Sequence, residues 1–155
     1  MSREADFSEL EKFFKNWTDA YNDFDEFLRK FLLEMALRAI AKIKPKTPVD
    51  TGALRNTWGV GDQALQVGRQ TGEALSAFEQ VATIESVEVV GDNFVISIWN
   101  LMDYASFVEY GHRLVNGAWQ DGRFMMTLSI DEVQRQMPAR WDKALKAYLQ
   151  SKGAV

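Results

Sequence analysis

The sequence predicts an α+β fold in which a long N-terminal helix and a C-terminal helix pack on a mostly antiparallel sheet. Three observations carry this. Apolar residues near both ends recur at alternating steps of three and four, the spacing of a helical face. Between them lie β-branched segments punctuated by the turn clusters Gly91-Asp92-Asn93 and Asn116-Gly117,. The strands are clustered between the helices, as in a sandwich with helices covering one face of the sheet. The 155 residues read as one domain,, with a helix over about 7–44, a sheet with a loop insertion over about 57–126, and a helix over about 127–151.

The first helix follows from Phe7, Leu10, Phe14, Trp17, Tyr21, Phe24, Leu28, Phe31 and Met35, an a/d seam. Ser8 with Glu11 is a capping-box start, and Pro45 with Pro48 forces the stop. Some 36 residues at 1.5 Å each give a helix of ~54 Å, longer than a domain of this size covers by itself. Either it breaks near Asn22-Asp23, or part of its stripe packs on another subunit. Past Met35 the seam slips, since Arg38 takes the apolar slot and Ala39, Ile40 and Ile43 carry on.

Residues 47–58 form a loop and one short helical turn, which Asp50 or Thr51 can cap, and a strand starts near Thr57-Trp58. Gly61 to Gln80 is rich in Gly, Gln and Ala and reads as an insertion with one short helix over Glu73–Val81. A hairpin pairs Ala82–Val90 with Phe94–Trp99. Asp103 caps a short helix through Tyr104, Phe107 and Val108, closed by Gly111. A second hairpin joins Arg113-Leu114-Val115 to Ala118-Trp119 across Asn116-Gly117. Ser129 with Glu132 forms another capping box, and Ile130, Val133, Met137, Trp141, Leu145 and Tyr148 keep one helical face. Pro138 inside that run predicts a kink or a fresh start.

Composition narrows the chemistry. No Cys is present, which excludes disulfides, thiolate nucleophiles and Cys-based metal sites. With a single His, His112, a His-rich metal site within one chain is also excluded. The net charge is −4 without a basic cluster, so phosphate-gripping DNA recognition is not expected. The acidic first residues and the absence of a ~20-residue apolar run point to a soluble intracellular protein. Ten Phe, five Trp and four Tyr suit a packed core and a subunit interface equally well.

Catalytic constellations find little support. A Ser–His–Asp set would need His112 with Ser97 or Ser106 and Asp103, and no Gly-x-Ser-x-Gly elbow accompanies them. Asp23, Asp25 and Glu26 spread around a helix. Gly59-Val60-Gly61 lacks the third glycine of a dinucleotide loop. Glu109 and Asp103 are the one candidate pair of facing carboxylates, with capping and ion pairing as the alternative. No cofactor and no metal are expected.

Two segments carry a resemblance. Thr47-Pro48-Val49-Asp50-Thr51-Gly52-Ala53-Leu54-Arg55-Asn56-Thr57 resembles the opening signature of the HK97 gp10-like family of phage tail components. Tyr104-Ala105-Ser106-Phe107-Val108-Glu109-Tyr110-Gly111 is similar to the same family's Tyr-Ala-x-x-Val-Glu-(Tyr/Phe)-Gly element. Arg123-Phe124 before a C-terminal helix fits the family's ending, so the likeness runs over roughly 30–150. The chain departs from the pattern at His112, where the family usually has Thr, and in the length of Gly61–Gln80.

The resemblance implies a structural protein of the virion neck, assembled in the bacterial cytoplasm. It would be a tail terminator or head–tail joining subunit that forms a ring, commonly a hexamer. Its partners would be further copies of itself, the tail tube protein and the head connector or stopper protein. DNA would pass through the channel without specific binding, and no membrane would be involved. Thr47, Pro48, Val49, Asp50, Thr51, Gly52, Leu54 and Arg55 of the first motif, with Tyr104, Val108, Glu109 and Gly111 of the second, are the expected fold or subunit-contact residues. Arg55 is a planar donor and Glu109 an available carboxylate, so the two are expected to meet, within the subunit or across a ring contact. The alternative is that both motifs only organise the meeting of helix and sheet. A head-side stopper or adaptor, a non-viral helical adaptor and a small hydrolase are the rival functions.

Overall fold

The computed structural model describes residues 8–61 and 82–155. Phe7 and the short helix expected over Glu73–Val81 lie outside these residues. The expected N-terminal helix is two helices, α1 (Ser8–Asn22) and α2 (Phe24–Lys46). They are interrupted at Asp23, whose φ of −91° and ψ of 3° place it in the bridge region. The bonds from Asp23 N to Asp19 O and from Phe27 N to Asp23 O span the break. The interruption is the first of the two alternatives that the excess length of the seam left open. Pro45 does not stop α2, because a proline in the last turn removes only the bond to the residue 41 carbonyl. The stop comes from Pro48, which holds Thr47 extended at ψ 123°,.

A short helix α3 (Ala53–Asn56) leads into β1 (Trp58–Val60). After a single 3-10 turn at Ile84–Ser86 come β2 (Glu88–Val90), β3 (Asn93–Val95) and β4 (Ile98–Asn100). Helix α4 (Ala105–Tyr110), β5 (Gly111–Arg113), β6 (Trp119–Asp121) and α5 (Met125–Ser151) complete the chain. The fold is α+β, and every strand pair among the described residues is antiparallel. The pairs form three separate two-stranded ladders, β1–β4, β2–β3 and β5–β6.

The first hairpin is shorter than its alternation suggested. β2 and β3 turn at Gly91-Asp92 with Val90 opposite Asn93. The chain then leaves the hairpin, and Ile98 pairs with Val60 of β1. The Ser97 carbonyl accepts the Gly61 N–H at 2.8 Å, and the Trp99 indole donates to the Gly61 carbonyl at 2.9 Å. The second hairpin turns at the predicted place, but its ladder lies at 111–113 and 119–121 rather than beside the turn.

Helices α2 and α5 run antiparallel and enclose the core. Ala36, Ile40 and Ile43 of α2 bury against Leu54, Trp58, Val60 and Met125, while Met35 and Ala39 meet Val133. These positions are the slipped seam, and the slip turns the apolar stripe from α5 alone towards β1 and α3 as well. Further along, Phe31 meets Trp141 at 5.1 Å and Phe27 stacks on Tyr148 at 4.4 Å between ring centres.

α5 starts at Met125 and not at a Ser129 capping box. Ser129 is buried inside the helix and donates to the Met125 carbonyl at 2.6 Å. Pro138 produces no fresh start; the carbonyl it leaves without its helical bond belongs to Gln134, an exposed residue,. Glu132 bridges to α2, accepting from Lys42 at 2.8 Å and Lys46 at 3.0 Å. The hydrogen bonds from Lys42 and Lys46 hold its carboxyl down at about 2. A carboxyl depressed on folding contributes stability that is complete above its unfolded value near 4.5 and is lost as pH falls towards about 2,. The difference in Tm between wild type and Glu132→Gln is therefore expected to be largest above pH 5 and to vanish towards pH 2. A difference that stays constant over thermal scans across that range would contradict the bridge.

Candidate functional site

The two motifs fold against each other at one end of the molecule. Pro48, Val49, Asp50, Thr51, Gly52 and Leu54 share the walls of an open cleft of about 190 Å³ with Tyr104 and Val108. Beneath it, Leu54 lies in the core cluster against which Ala105 and Val108 pack.

Thr47 is the hub of the first motif. It is 1% exposed, and each polar atom has a partner. Its N–H and hydroxyl donate to the Ile43 carbonyl at 3.0 and 2.9 Å. The hydroxyl accepts from the Trp58 indole at 3.0 Å, and the carbonyl accepts from the Arg55 guanidinium at 3.0 Å. Thr47→Val keeps the shape but leaves the buried Trp58 N–H unpaired, so a loss of about 2 kcal/mol is expected. Chemical denaturation of Thr47→Val and Thr47→Ser measures it, and serine should recover most of the loss. Equal losses for both would assign the effect to the methyl group instead.

Beyond Pro48 the chain turns through Gly52 at φ 85°, a left-handed conformation,. Neither Asp50 nor Thr51 holds the N-cap of α3, which is Gly52 without a side-chain cap bond; the Thr51 hydroxyl accepts the Ala53 N–H at 3.3 Å in the turn before it. Asn100, which the sequence did not single out, and Thr57, the last residue of the first motif, lock α3 to β4, with the Thr57 hydroxyl 3.1 Å from Asn100 Oδ1. Asn100 donates from its amide to the Leu54 carbonyl at 2.8 Å and accepts the Met102 N–H at 2.9 Å. Thr57, fully buried, donates to the Ala53 carbonyl at 2.8 Å.

Glu109 is the centre of the second motif. It is 3% exposed, and its carboxylate caps α5 from outside. One oxygen accepts the Met126 N–H at 2.9 Å. The other accepts the Thr127 N–H at 2.8 Å and the Thr127 hydroxyl at 2.7 Å. These first-turn N–H groups have no partner within their own helix, and a negative charge there complements the helix dipole. The residue before the helix, Phe124, has no side-chain oxygen to do this and sits at φ 49°. Asp103 does not cap α4; Tyr104 holds that position, without a side-chain cap bond.

Arg55 and Glu109 do not meet in the subunit. No ion pair joins them among the described residues; the guanidinium is spent on Thr47, and its buried Nε has no hydrogen-bond partner. Gly111 and Gly122 let three chain segments approach. A Cβ on Gly111 would stand 2.5 Å from the Gln120 carbonyl oxygen, and one on Gly122 would stand 2.3 Å from that of Glu109. Gly122 carries no sequence signal of its own.

The chemistry available is limited. Asp103 and Glu109 both line a neighbouring cleft of about 260 Å³, but both Glu109 oxygens are committed to α5. His112 makes no hydrogen bond with Ser97, Ser106 or Asp103; its Nδ1 is buried without a partner and its ring lies 5.7 Å from that of Phe107. Among the described residues no group of three or more acidic or His side chains is placed to hold a metal ion.

The outer surface of this end is apolar. Phe107 and Tyr110 lie three residues apart on the outer face of α4 and are both exposed, as are Val49, Tyr104, Trp119 and Phe124. The motifs thus bury Thr47, Thr57 and Glu109 and turn the rings of Tyr104, Phe107 and Tyr110 outward. Among known proteins, a family described as "Bacteriophage HK97-gp10, putative tail-component" matches residues 8–111. That span takes in α1 and both motifs and stops before the second hairpin and α5. No curated protein matches, and no solved structure matches.

Proposed function

The chain belongs to the HK97-gp10-like family of phage tail components, and from that premise we propose that it is a ring-forming subunit of the virion neck, a tail terminator or head–tail joining protein. The observation that carries this reading is the aromatic surface left open on a chain of that family. Leu10, Phe14, Trp17 and Tyr21 on α1, and Phe107, Tyr110 and Trp119 at the motif end, are each at least 42% exposed. Such area on a folded subunit is a site for protein contact, and a head-to-tail contact that closes makes a ring.

In this reading the inward polar groups serve geometry. Glu109 and Thr47 hold the junction rigid, so that the contact surface is presented in one orientation. Further copies of the chain, in a hexameric ring, are its first partners; the tail tube protein and the head connector or stopper protein are the others. The net charge of −4 suits a channel through which DNA slides without being held. No helix among the described residues is long and apolar enough to cross a membrane.

The test is the mass in solution by light scattering over a concentration series, with negative-stain imaging, alone and with tail tubes. A closed ring, or assembly of one on the tubes, supports the neck role. A strict monomer that ignores tubes overturns it.

A further inference from the structure

We propose that each junction between subunits is formed by the apolar face of α1, centred on Phe13, Phe14 and Trp17, lying on the Phe107–Tyr110–Trp119 patch of a second copy. This rests on the ring reading above and names the surfaces that make the ring.

Residues 8–15 are exposed on every side. The C-terminal end of α1 is tied to the rest of the subunit. There the Asn16 amide donates to the Gly153 carbonyl, Tyr148 donates to the Ala20 carbonyl, and Lys152 pairs with Asp23. The remainder projects beyond the end of α5 as an arm. Its three large rings fall on one helical face, 46%, 61% and 42% exposed, and within the subunit they touch one another. A helix of 15 residues is marginal in water without packing, so an arm of this kind gains its stability from what covers that face.

The other patch lies at the far end of the molecule. Phe107, Tyr110 and Trp119 are 55%, 57% and 62% exposed, next to the Glu109 cap at the first turn of α5. Phe124 keeps a left-handed φ of 49°, which glycine or asparagine would adopt with less strain, and its ring stands edge-on to Tyr110. The 27 residues of α5 separate the two patches by ~40 Å at 1.5 Å per residue, so they cannot cover each other within one subunit. A two-fold contact would seat arm on patch twice within one closed pair. A head-to-tail contact covers both with one repeated interface, and its closure is a ring. With aromatic side chains of about 200 Å², roughly half uncovered, and with their apolar neighbours, each patch is on the order of 500 Å². That is the greater part of the ~800 Å² that one partner contributes to a standard interface.

The experiment uses two full-length variants, Phe14→Glu with Trp17→Glu on the arm and Phe107→Glu with Trp119→Glu on the patch. Circular dichroism and Tm establish that each is folded, and serine replacements substitute if a glutamate pair is not. Where the wild type assembles, each variant alone is expected to stay monomeric. Their equimolar mixture should form heterodimers and nothing larger, because one intact arm and one intact patch remain. Since the chain has no Cys, Phe14→Cys with Trp119→Cys should give a disulfide ladder between subunits on oxidation. Variants that still close rings, or a mixture that stays monomeric with no ladder, would overturn the contact while leaving the ring reading intact. A wild type that never assembles, with or without tail tubes, would overturn both.

Discussion

Glu109→Gln is expected to destabilise the protein by about 3 kcal/mol. Three donors converge on this carboxylate from the first turn of α5. Glutamine retains one oxygen and turns an NH2 group towards donors on the other side. At least one backbone N–H is then left buried and unpaired, at about 1–3 kcal/mol, and the charge at the helix N-terminus is lost, at about 1 kcal/mol. For a chain of this size 3 kcal/mol corresponds to a fall in Tm of about 10 °C. Thr127→Val removes only the hydroxyl bond and should cost about 1 kcal/mol. Guanidinium denaturation of both variants measures the difference. A Glu109→Gln protein within 0.5 kcal/mol of wild type would mean that the cap contributes nothing to stability.

A comparable loss, about 3 kcal/mol or more, is expected for Gly111→Ala, for two separable reasons. Its φ of 87° and ψ of 169° lie in a region open essentially to glycine alone, which costs another residue about 1–3 kcal/mol. The new Cβ would also stand 2.5 Å from the Gln120 carbonyl oxygen and 2.9 Å from the Gly122 nitrogen. Both are backbone atoms, so β5 and β6 must part to admit it, at about 1–3 kcal/mol. Gly117→Ala is the internal control. It has a similar φ of 84° but meets nothing within 4 Å, so only the conformational cost remains. Thermal unfolding of the two variants separates strain from close approach. Equal shifts in Tm would show that the β5–β6 contact is loose enough to accept a methyl group.

Both residues belong to the second motif; the sequence read Gly111 as the close of α4, as the structure has it, but pointed to Glu109 for a reason other than the one the structure supplies. Glu109 was expected to meet Arg55, because a forked donor and a carboxylate in two neighbouring motifs make an obvious pair. Each is instead used by a nearer demand. The Thr47 carbonyl lies eight residues before Arg55 at the end of α2, and the unpaired N–H groups of α5 face Glu109. Competition among partners settles such pairings, and the competitors Met126 and Thr127 carry no mark in the sequence.

Local features were legible. The break at Asp23, the start of β1 at Trp58, the turn at Gly91-Asp92, the glycine that closes α4 and the continuous apolar face of α5 all depend on residues within one or two turns of one another. Backbone sterics and periodicity act over that range, so the order of residues is enough to read them. The α+β class follows from the same information, since it needs only the order of helices and strands.

Features that depend on which elements meet were not legible. The departure of β4 from its hairpin to pair with β1, the division of the strands into three ladders, the capping of α5 by Glu109 and the close approach at Gly122 all join segments distant along the chain. The length of the N-terminal seam already indicated that part of it is left uncovered, but not which part. The apolar stripe of α1 reads the same as that of α2, yet α5 runs out beside Ala20 and leaves the arm uncovered. The hydrophobic pattern states that a face requires covering, whereas the lengths and placement of the packed helices decide whether its own subunit covers it.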